Sequence, residues 1–177
     1  LPVTFCVDRA GIVGADGETH QGILDLSFFG SIPGMTICAP KNKYELYDMM
    51  KFSLNFGHPL AIRYPRGDAY EGERDHRAPI VCGKSELLYQ GEQVALIAVG
   101  SMVETAVQVK NYLAEEGLAA TVVNARFIKP LDTDMLDMLS EKHNMIVTME
   151  ENVIRGGFGE AVLLYDEVTA CICQTCG

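Results

Sequence analysis

The first half of the chain alternates short apolar runs with amphipathic segments. Strands covered on both faces are predicted by three apolar runs rich in branched side chains, at residues 3–7, 35–39 and 60–64. Between them, residues 23–29 predict a short helix that ends at Gly30, and residues 41–56 predict a longer helix. Within the longer helix, the i, i+3, i+4, i+8 spacing predicts one buried stripe formed by Leu46, Met49, Met50 and Leu54.

The second half repeats this alternation. Strands are predicted at residues 94–99, 121–124 and 145–149. One helix is predicted after Ser101, where apolar residues recur at helical spacing until Gly117, and a second after Asp132. A third helix is predicted to follow the glycine-rich turn at residues 156–159.

The order of these elements indicates the fold class. Strands separated by helices form right-handed βαβ units, so the chain is predicted to be an α/β protein with parallel sheets. Residues 68–79 are polar and contain few apolar side chains, which is typical of a linker. With the boundary placed near Ala78, the chain divides into units at residues 1–78 and 79–177.

The composition narrows the classes of function. Lys and Arg total 14 and Asp and Glu total 24, so the formal net charge is −10. This charge argues against a non-specific nucleic-acid binder, because such proteins carry a basic face. No window has the roughly 20 uninterrupted apolar residues of a membrane span, and the N-terminus does not resemble a signal peptide. The spacing of the six cysteines is not that of a secreted disulfide framework, so a reducing, cytoplasmic compartment is expected.

Four residues near predicted strand ends carry candidate chemistry. Arg9 follows the first strand and Arg66 the third, and ligands of parallel sheets bind beyond the carboxyl ends of the strands. Two guanidinium groups there can hold a phosphate, provided that they lie close enough to share one small anion. In a glycine-rich loop, Asp16 is a candidate for binding a hydroxyl or for orienting His20, and His20 is a candidate for exchanging a proton with a substrate oxygen. The simpler alternatives are that each arginine forms a surface ion pair, that Asp16 is a turn residue and that His20 is a solvated histidine.

Three further motifs carry less specific signals. The glycine-rich turn at residues 156–159 lacks the Lys-Ser/Thr pair of a P-loop, so it predicts a turn into a tightly packed helix. Glu150 and Glu151 are either catalytic carboxylates or solvated acids. No metal is assigned to the zinc-like but incomplete spacing of Cys171, Cys173 and Cys176.

Several segments, taken together and in this order, resemble one family. They are Asp-Arg-Ala-Gly at residues 8–11, Thr-His-Gln-Gly at 19–22, Arg-Tyr-Pro-Arg-Gly at 63–67, Asn-Ala-Arg-Phe-Ile-Lys-Pro-Leu-Asp at 124–132, Glu-Glu-Asn at 150–152 and Gly-Gly-Phe-Gly at 156–159. The combination is similar to the 1-deoxy-D-xylulose-5-phosphate synthases of the transketolase-like superfamily, and it extends over residues 1–165.

The resemblance implies a fold and an activity. Residues 1–78 are expected to form the second half of a pyrimidine-binding domain, and residues 79–177 a C-terminal α/β domain of the transketolase type. Enzymes of this family use thiamine diphosphate and Mg²⁺ to decarboxylate pyruvate. They join the two-carbon unit to glyceraldehyde 3-phosphate, which gives 1-deoxy-D-xylulose 5-phosphate and CO2 for isoprenoid, thiamine and pyridoxal synthesis.

The resemblance also implies roles for individual residues. By matching position, Arg9 and Arg66 are expected to bind the phosphate of the acceptor aldehyde. Asp16 and His20 are expected to be catalytic residues that face the thiamine-bound intermediate and the acceptor hydroxyls. The residues that hold the cofactor in the family are expected upstream of Leu1, and the family's diphosphate-binding domain is missing. The chain is therefore expected to be a C-terminal piece that alone neither binds thiamine diphosphate tightly nor turns over.

The resemblance also implies a partner chain, and two alternative functions remain open. Active sites of the family form between subunits, and a half domain exposes apolar strand edges, so a homodimer or an N-terminal complementing chain is expected. One alternative is another enzyme of the superfamily, a transketolase or the β subunit of a 2-oxoacid dehydrogenase, which the segments at residues 8–11 and 19–22 disfavour. The other is a non-catalytic module that acts in assembly or ligand binding.

Overall fold

The structure is a computed structural model that describes residues 1–165 and the backbone of residues 170–174. The elements of the first half are β1 (Thr4–Val7), α1 (Asp25–Gly30), β2 (Thr36–Cys38), α2 (Lys43–Ser53) and β3 (Leu60–Arg63). Those of the second half are β4 (Glu86–Tyr89), β5 (Val94–Ala98), α3 (Met102–Glu115), β6 (Ala120–Asn124), β7 (Phe127–Lys129), α4 (Thr133–Lys142), β8 (Met145–Glu150), α5 (Phe158–Tyr165) and β9 (Ala170–Gln174).

The strands form two sheets, and the predicted α/β class is confirmed. The first sheet has the order β1-β3-β2-β7 and the second the order β4-β6-β5-β8-β9. Each strand predicted from an apolar run is present, with ends that differ from the prediction by one or two residues. None of the helices in the described part of the chain is long and apolar enough to span a membrane.

Three strands at sheet edges were not predicted, namely β4, β7 and β9. Two of them, β4 and β7, run antiparallel to their neighbours, whereas β9 is parallel to β8. β4 pairs with β6, and β7 pairs with β2, so the sheets are mixed and not purely parallel. β7 has only three residues and follows β6 after a two-residue turn, which is too short for a separate apolar run to stand out. The sheets are therefore mainly parallel, as predicted, and antiparallel at the edges formed by β4 and β7.

β7 carries the second half of the chain into the sheet of the first half. Its Phe127 and Lys129 lie opposite Cys38 and Ile37 of β2, so the chain itself covers that edge. The expected exposed edge is confined to β1, at the other side of the sheet, where Phe5 is 42% exposed. One apolar core also spans both halves, with residues from each packed together, including Leu26, Ile37, Ala61, Ile97, Ile128, Ile146 and Phe158.

Helix α2 presents a different face to the core from the predicted stripe. Met49 is fully buried and Leu46 is half-buried, but Met50 is exposed and Leu54, beyond the helix end, is 81% exposed. The inward face instead includes Glu45, which is 2% exposed. The carboxylate of Glu45 has buried polar partners, and these contacts keep that face of the helix directed inward, because a buried charge without partners is costly.

Those partners form a buried ionic network between the two halves of the chain. The ammonium of Lys41 lies 3.2 Å from a carboxylate oxygen of Glu45 and 2.7 Å from one of Glu86. The guanidinium of Arg126 lies 2.7 Å from Glu45 and 2.9 Å from Glu86, and the amide of Asn124 donates to both oxygens of Glu45 at 2.9 Å. Two cations and two anions balance, which is the condition under which charges are tolerated in an interior.

The network also holds the segment that connects the two halves. Arg126 adopts a left-handed backbone conformation with φ of 55°. From there its guanidinium donates to the carbonyls of Ala78 at 2.9 Å and Pro79 at 3.2 Å. In return, the N–H of Ala78 donates to Glu86 at 2.8 Å. The segment predicted as a linker is therefore fixed at its end, and the domain boundary near Ala78 stays a prediction.

We expect Glu45→Gln to lower the free energy of unfolding by about 3 kcal/mol, because Lys41 and Arg126 would then share a single buried carboxylate. Urea unfolding at neutral pH measures this change. Glu71→Gln is the matched control, since Glu71 pairs with Lys43 at the surface, and the unfolding midpoint should stay nearly unchanged. Equal losses in the two variants would contradict the role given to the network.

The pKa of Glu86 makes the network sensitive to acid. Burial opposes ionisation of Glu86, but the bonds from Lys41 and the N–H of Ala78, together with Arg126, outweigh burial and lower its pKa from the ordinary value of 4.5. The resulting stabilisation is present above that value and is lost as the pH falls through the lower, folded-state pKa. We expect the stability difference between wild type and Glu86→Gln to shrink along this acid limb, measured by urea unfolding at successive pH values. A constant difference would refute the assignment.

Candidate functional site

The predicted site residues lie at the carboxyl ends of two adjacent strands. β1 and β3 are parallel neighbours, with Val7 opposite Arg63. Arg9 therefore leaves the same edge of the sheet as Arg66, which follows β3 in the next turn. Arg9 has a left-handed φ of 63°, and the chain then continues into residues 10–22, here called the site loop.

The structure brings Arg9, Arg66 and Asp16 together. One oxygen of the Asp16 carboxylate, Oδ1, accepts from Arg9 at 3.4 Å and also contacts Nη1 of Arg66. The Asp16 side chain is only 2% exposed, whereas those of Arg9 and Arg66 are 34% and 52% exposed. Two guanidinium groups thus converge on a single atom while part of each faces solvent. Both groups therefore reach one anionic oxygen, that of Asp16, and the role of the two arginines in binding phosphate stays a prediction.

His20 occupies a different part of the site loop. It ends a 3₁₀ turn at Glu18–His20, is exposed, and its Nδ1 lies 3.1 Å from the hydroxyl of Thr19. Within residues 1–165, the hydrogen bonds of the Asp16 carboxylate go to arginines and not to His20. The structure therefore gives no support to the idea that Asp16 orients His20. The other Asp16 oxygen, Oδ2, is buried and has no hydrogen-bond partner among the described residues.

Glycines allow the base of the site loop to pack closely. Gly11 and Gly22 bond to each other through their backbones at 3.3 and 2.9 Å. Gly11 has φ of 73°, and a Cβ built on it would lie 2.5 Å from Cδ of Glu151, which comes from the end of β8. The Glu151 carboxylate accepts from the hydroxyl of Ser101 at 2.5 Å. The second half of the chain therefore forms one wall of the site.

Arg63 is a site residue that the sequence analysis missed. It is 4% exposed, and its guanidinium donates to the carbonyls of Gly22 at 2.8 Å and Glu151 at 2.7 Å, and to the carboxylate of Asp25 at 3.3 Å. Burial lowers the pKa of Arg63, and the neighbouring carboxylate of Asp25 opposes that effect. Its three partners lie 38, 41 and 88 positions from Arg63 in the sequence, so no local pattern distinguished Arg63 from any other residue at the end of a strand.

The remaining motifs have structural roles where they are described. Glu150 is 3% exposed, and its carboxylate accepts from the N–H groups of Phe158 and Gly159, at 2.9 and 2.7 Å, at the start of α5. Burial raises the pKa of Glu150, and these two bonds oppose the rise. Glu150 is thus neither solvated nor at the arginine site. Gly156, with φ of 73°, forms the predicted turn into α5.

Metal-ligating side chains do not cluster in the described part of the chain. Within residues 1–165, no group of three or more His, Cys, Asp or Glu side chains could hold a metal ion. Cys6, Cys38 and Cys82 are free thiols. The motif of Cys171, Cys173 and Cys176 lies outside the residues whose side chains the structure describes.

Two family models match the chain. Residues 1–71 match the transketolase pyrimidine-binding domain, and residues 83–169 match the transketolase C-terminal domain. A solved structure described as a split gene transketolase, inactive beta4 tetramer, is similar with a TM-score of 0.88 at 26% identity. The likeness covers 98% of this chain and 57% of that one.

Curated relatives are similar over most of this chain. The 1-deoxy-D-xylulose-5-phosphate synthase of Lachnoclostridium phytofermentans is 56% identical over 165 residues, which are 93% of this chain and 26% of the relative. The protein of the same name from Halothermothrix orenii is 50% identical over 164 residues, 92% of this chain and 26% of the relative. The chain therefore spans about a quarter of the length of these relatives.

We expect Gly11→Ala to destabilise the chain by about 2 kcal/mol, because the new methyl group meets Glu151 and the backbone is left-handed there. Urea unfolding measures the loss, and faster amide exchange at Gly22, whose N–H donates to Gly11, locates it in the site loop. Gly14→Ala is the control, since nothing lies within 4 Å of a Cβ at that position. Unchanged amide exchange at Gly22 in Gly11→Ala would show that the contact does not hold the loop.

Proposed function

The chain belongs to the transketolase family, and we propose that it supplies the acceptor-binding part of a thiamine-diphosphate-dependent transferase, a 1-deoxy-D-xylulose-5-phosphate synthase. The proposed reaction joins the two-carbon unit of pyruvate to glyceraldehyde 3-phosphate, with release of CO2. The identity of 48–56% to curated proteins of that name supports this activity. A cytoplasmic location, indicated by the cysteine pattern, is part of the same proposal.

The convergence of Arg9 and Arg66 is the observation that carries the proposal. Both guanidinium groups reach one carboxylate oxygen, so both can reach one phosphate group placed at their solvent side. Guanidinium donors match the oxygens of phosphate in geometry and charge. The rest of this acidic protein would repel an anion, so attraction must come from these two side chains in particular. Holding the phosphate there fixes the aldehyde end of the acceptor relative to the site loop.

Asp16 and His20 would act on the polar groups of the acceptor. The imidazole of His20 is exposed, and its Nε2 makes no hydrogen bond within the described residues, so it is available to exchange a proton with an acceptor oxygen. The Asp16 carboxylate would set the positions of the two arginines and accept from a hydroxyl of the acceptor. These assignments follow the matching positions of the family.

The cofactor and its metal would be held mainly by polypeptide outside this chain. Within residues 1–165, no three or more His, Cys, Asp or Glu side chains cluster to hold a metal ion, and the family's cofactor-binding residues are expected upstream of Leu1. In the whole enzyme the cofactor would carry the carbanion chemistry, while this chain would bind and orient the acceptor. We propose accordingly that the chain alone neither binds thiamine diphosphate tightly nor turns over.

A partner would also complete the first sheet. Among the described residues, β1 pairs with β3 alone, and its own Phe5 is exposed. An unpaired strand edge presents backbone N–H and C=O groups that another strand can bind. We propose that an N-terminal complementing chain, or the corresponding segment in a homodimer, covers this edge. The solved relative described as a split gene transketolase supports an enzyme of this family divided between chains.

Co-expression with the N-terminal three quarters of the Lachnoclostridium phytofermentans relative tests the function. We expect pyruvate decarboxylation that depends on glyceraldehyde 3-phosphate and yields the five-carbon phosphate. In that complex, Arg66→Met should raise the KM for the phosphorylated acceptor roughly ten- to a hundredfold, as expected for lost bonds to a charged group. The KM for unphosphorylated glyceraldehyde should change little.

Arg77→Met is the matched control for the loss of a positive charge. Arg77 forms a surface ion pair with Asp48, outside the proposed site, so the variant should keep both KM values. Equal effects of Arg66→Met on the two acceptors would overturn the phosphate assignment. Activity with a ketose donor in place of pyruvate would favour a transketolase, and a complex without any activity would favour a non-catalytic module.

A further inference from the structure

The site loop must hold Asp16 between two arginines with little regular structure to support it. The backbone bonds between Gly11 and Gly22 fix its base. A single bond of 2.9 Å, from the N–H of Asp16 to the carbonyl of Val13, forms the turn that carries the carboxylate. These bonds leave the position of the turn relative to the base undetermined. Some other group must connect the two.

The side-chain amide of Gln21 makes that connection. Its Oε1 accepts from the N–H of Val13 at 2.7 Å, and its Nε2 donates to the carbonyls of Val13 and Asp16, both at 3.1 Å. The carbonyl of Gly17 lies at 3.5 Å from the same nitrogen. Gln21 itself precedes Gly22 at the loop base, so the amide spans the loop from its base to its turn. Every polar atom of the amide is occupied by loop backbone.

We propose that Gln21 is a positioning residue that places the Asp16 carboxylate between Arg9 and Arg66. Both donor hydrogens of its amide and one lone pair of its oxygen are used by loop backbone, so it acts through the backbone of the turn. A side chain that could not both donate and accept would release the turn, and Asp16 would no longer hold the two guanidinium groups together. The consequence for phosphate binding rests on the proposed function, whereas the placement of Asp16 does not.

Two substitutions separate this role from charge and from folding. Gln21→Met has similar length and removes all the amide bonds without adding charge. Gln21→Glu keeps the acceptor for Val13 N–H and loses both donated bonds. Gln93→Met is the matched control, because the Gln93 amide accepts one bond, from Ala119 N–H at 2.7 Å, at a turn of the second half. Two readouts are used on the chain itself: the guanidinium NMR signals of Arg66 and titration with inorganic phosphate.

In the wild type and Gln93→Met, we expect slowly exchanging Arg66 signals that mark its contact with Asp16, and weak, saturable phosphate binding. Both Gln21 variants should lose the Arg66 signature and bind phosphate about tenfold more weakly, with thermal midpoints that show a folded chain. Unchanged Arg66 signals in both variants would overturn the proposal. A loss confined to Gln21→Glu would also overturn it, since added charge alone would then explain the effect. If the wild type binds no phosphate while the Arg66 signals still depend on Gln21, the positioning role stands and the phosphate role of the arginines fails.

Discussion

The buried network of Lys41, Glu45, Glu86 and Arg126 is the constraint on which the arrangement of the two halves depends. Two of its members come from the first half and two from the second. Neither pair is satisfactory alone, because each half would bury charges without the full set of partners. Apolar packing brings the halves together but tolerates sliding, whereas four charges with fixed partners permit one register. The pairing of β7 with β2 follows directly from this docking, since β7 begins next to Arg126.

The candidate site depends on the same docking, although none of the four network residues touches it. The site loop and the turn after β3 belong to the first half, while Glu151 and Ser101 belong to the second. Arg63 joins these parts, because its guanidinium bonds to the base of the site loop and to the backbone of Glu151. A shift of one half against the other would therefore open the wall behind Gly11. Geometry at the arginines is thus maintained by contacts made far from them.

The elements that sequence analysis predicted are those with a strong local signal. The buried strands are continuous apolar runs, and the helices have clear starts and ends. The spacing of apolar residues and the residues that begin and end helices were therefore sufficient to predict these elements. The failures share a cause in contacts between distant residues. Glu45 turned the inner face of α2 away from the predicted stripe, because its partners lie about 80 positions further along the chain. β7 was missed because it is short and is defined by its partner β2 more than by its own sequence.

Arg9 and Arg66 were predictable as a pair because chain position at a parallel sheet fixes where strand ends meet. The contact of both arginines with Asp16 was not predictable, because a loop without a regular repeat gives no rule for the direction of the Asp16 carboxylate. That contact has a physical consequence for binding. Two exposed arginines would otherwise sample many rotamers, and a ligand would have to order both. The buried carboxylate of Asp16 holds them close together before any ligand arrives. In the proposed function, a phosphate would compete with one carboxylate oxygen but would meet donors that are already in place. Because a phosphate would carry more charge than the carboxylate and could use the solvent-facing donors as well, the proposed exchange would favour the ligand.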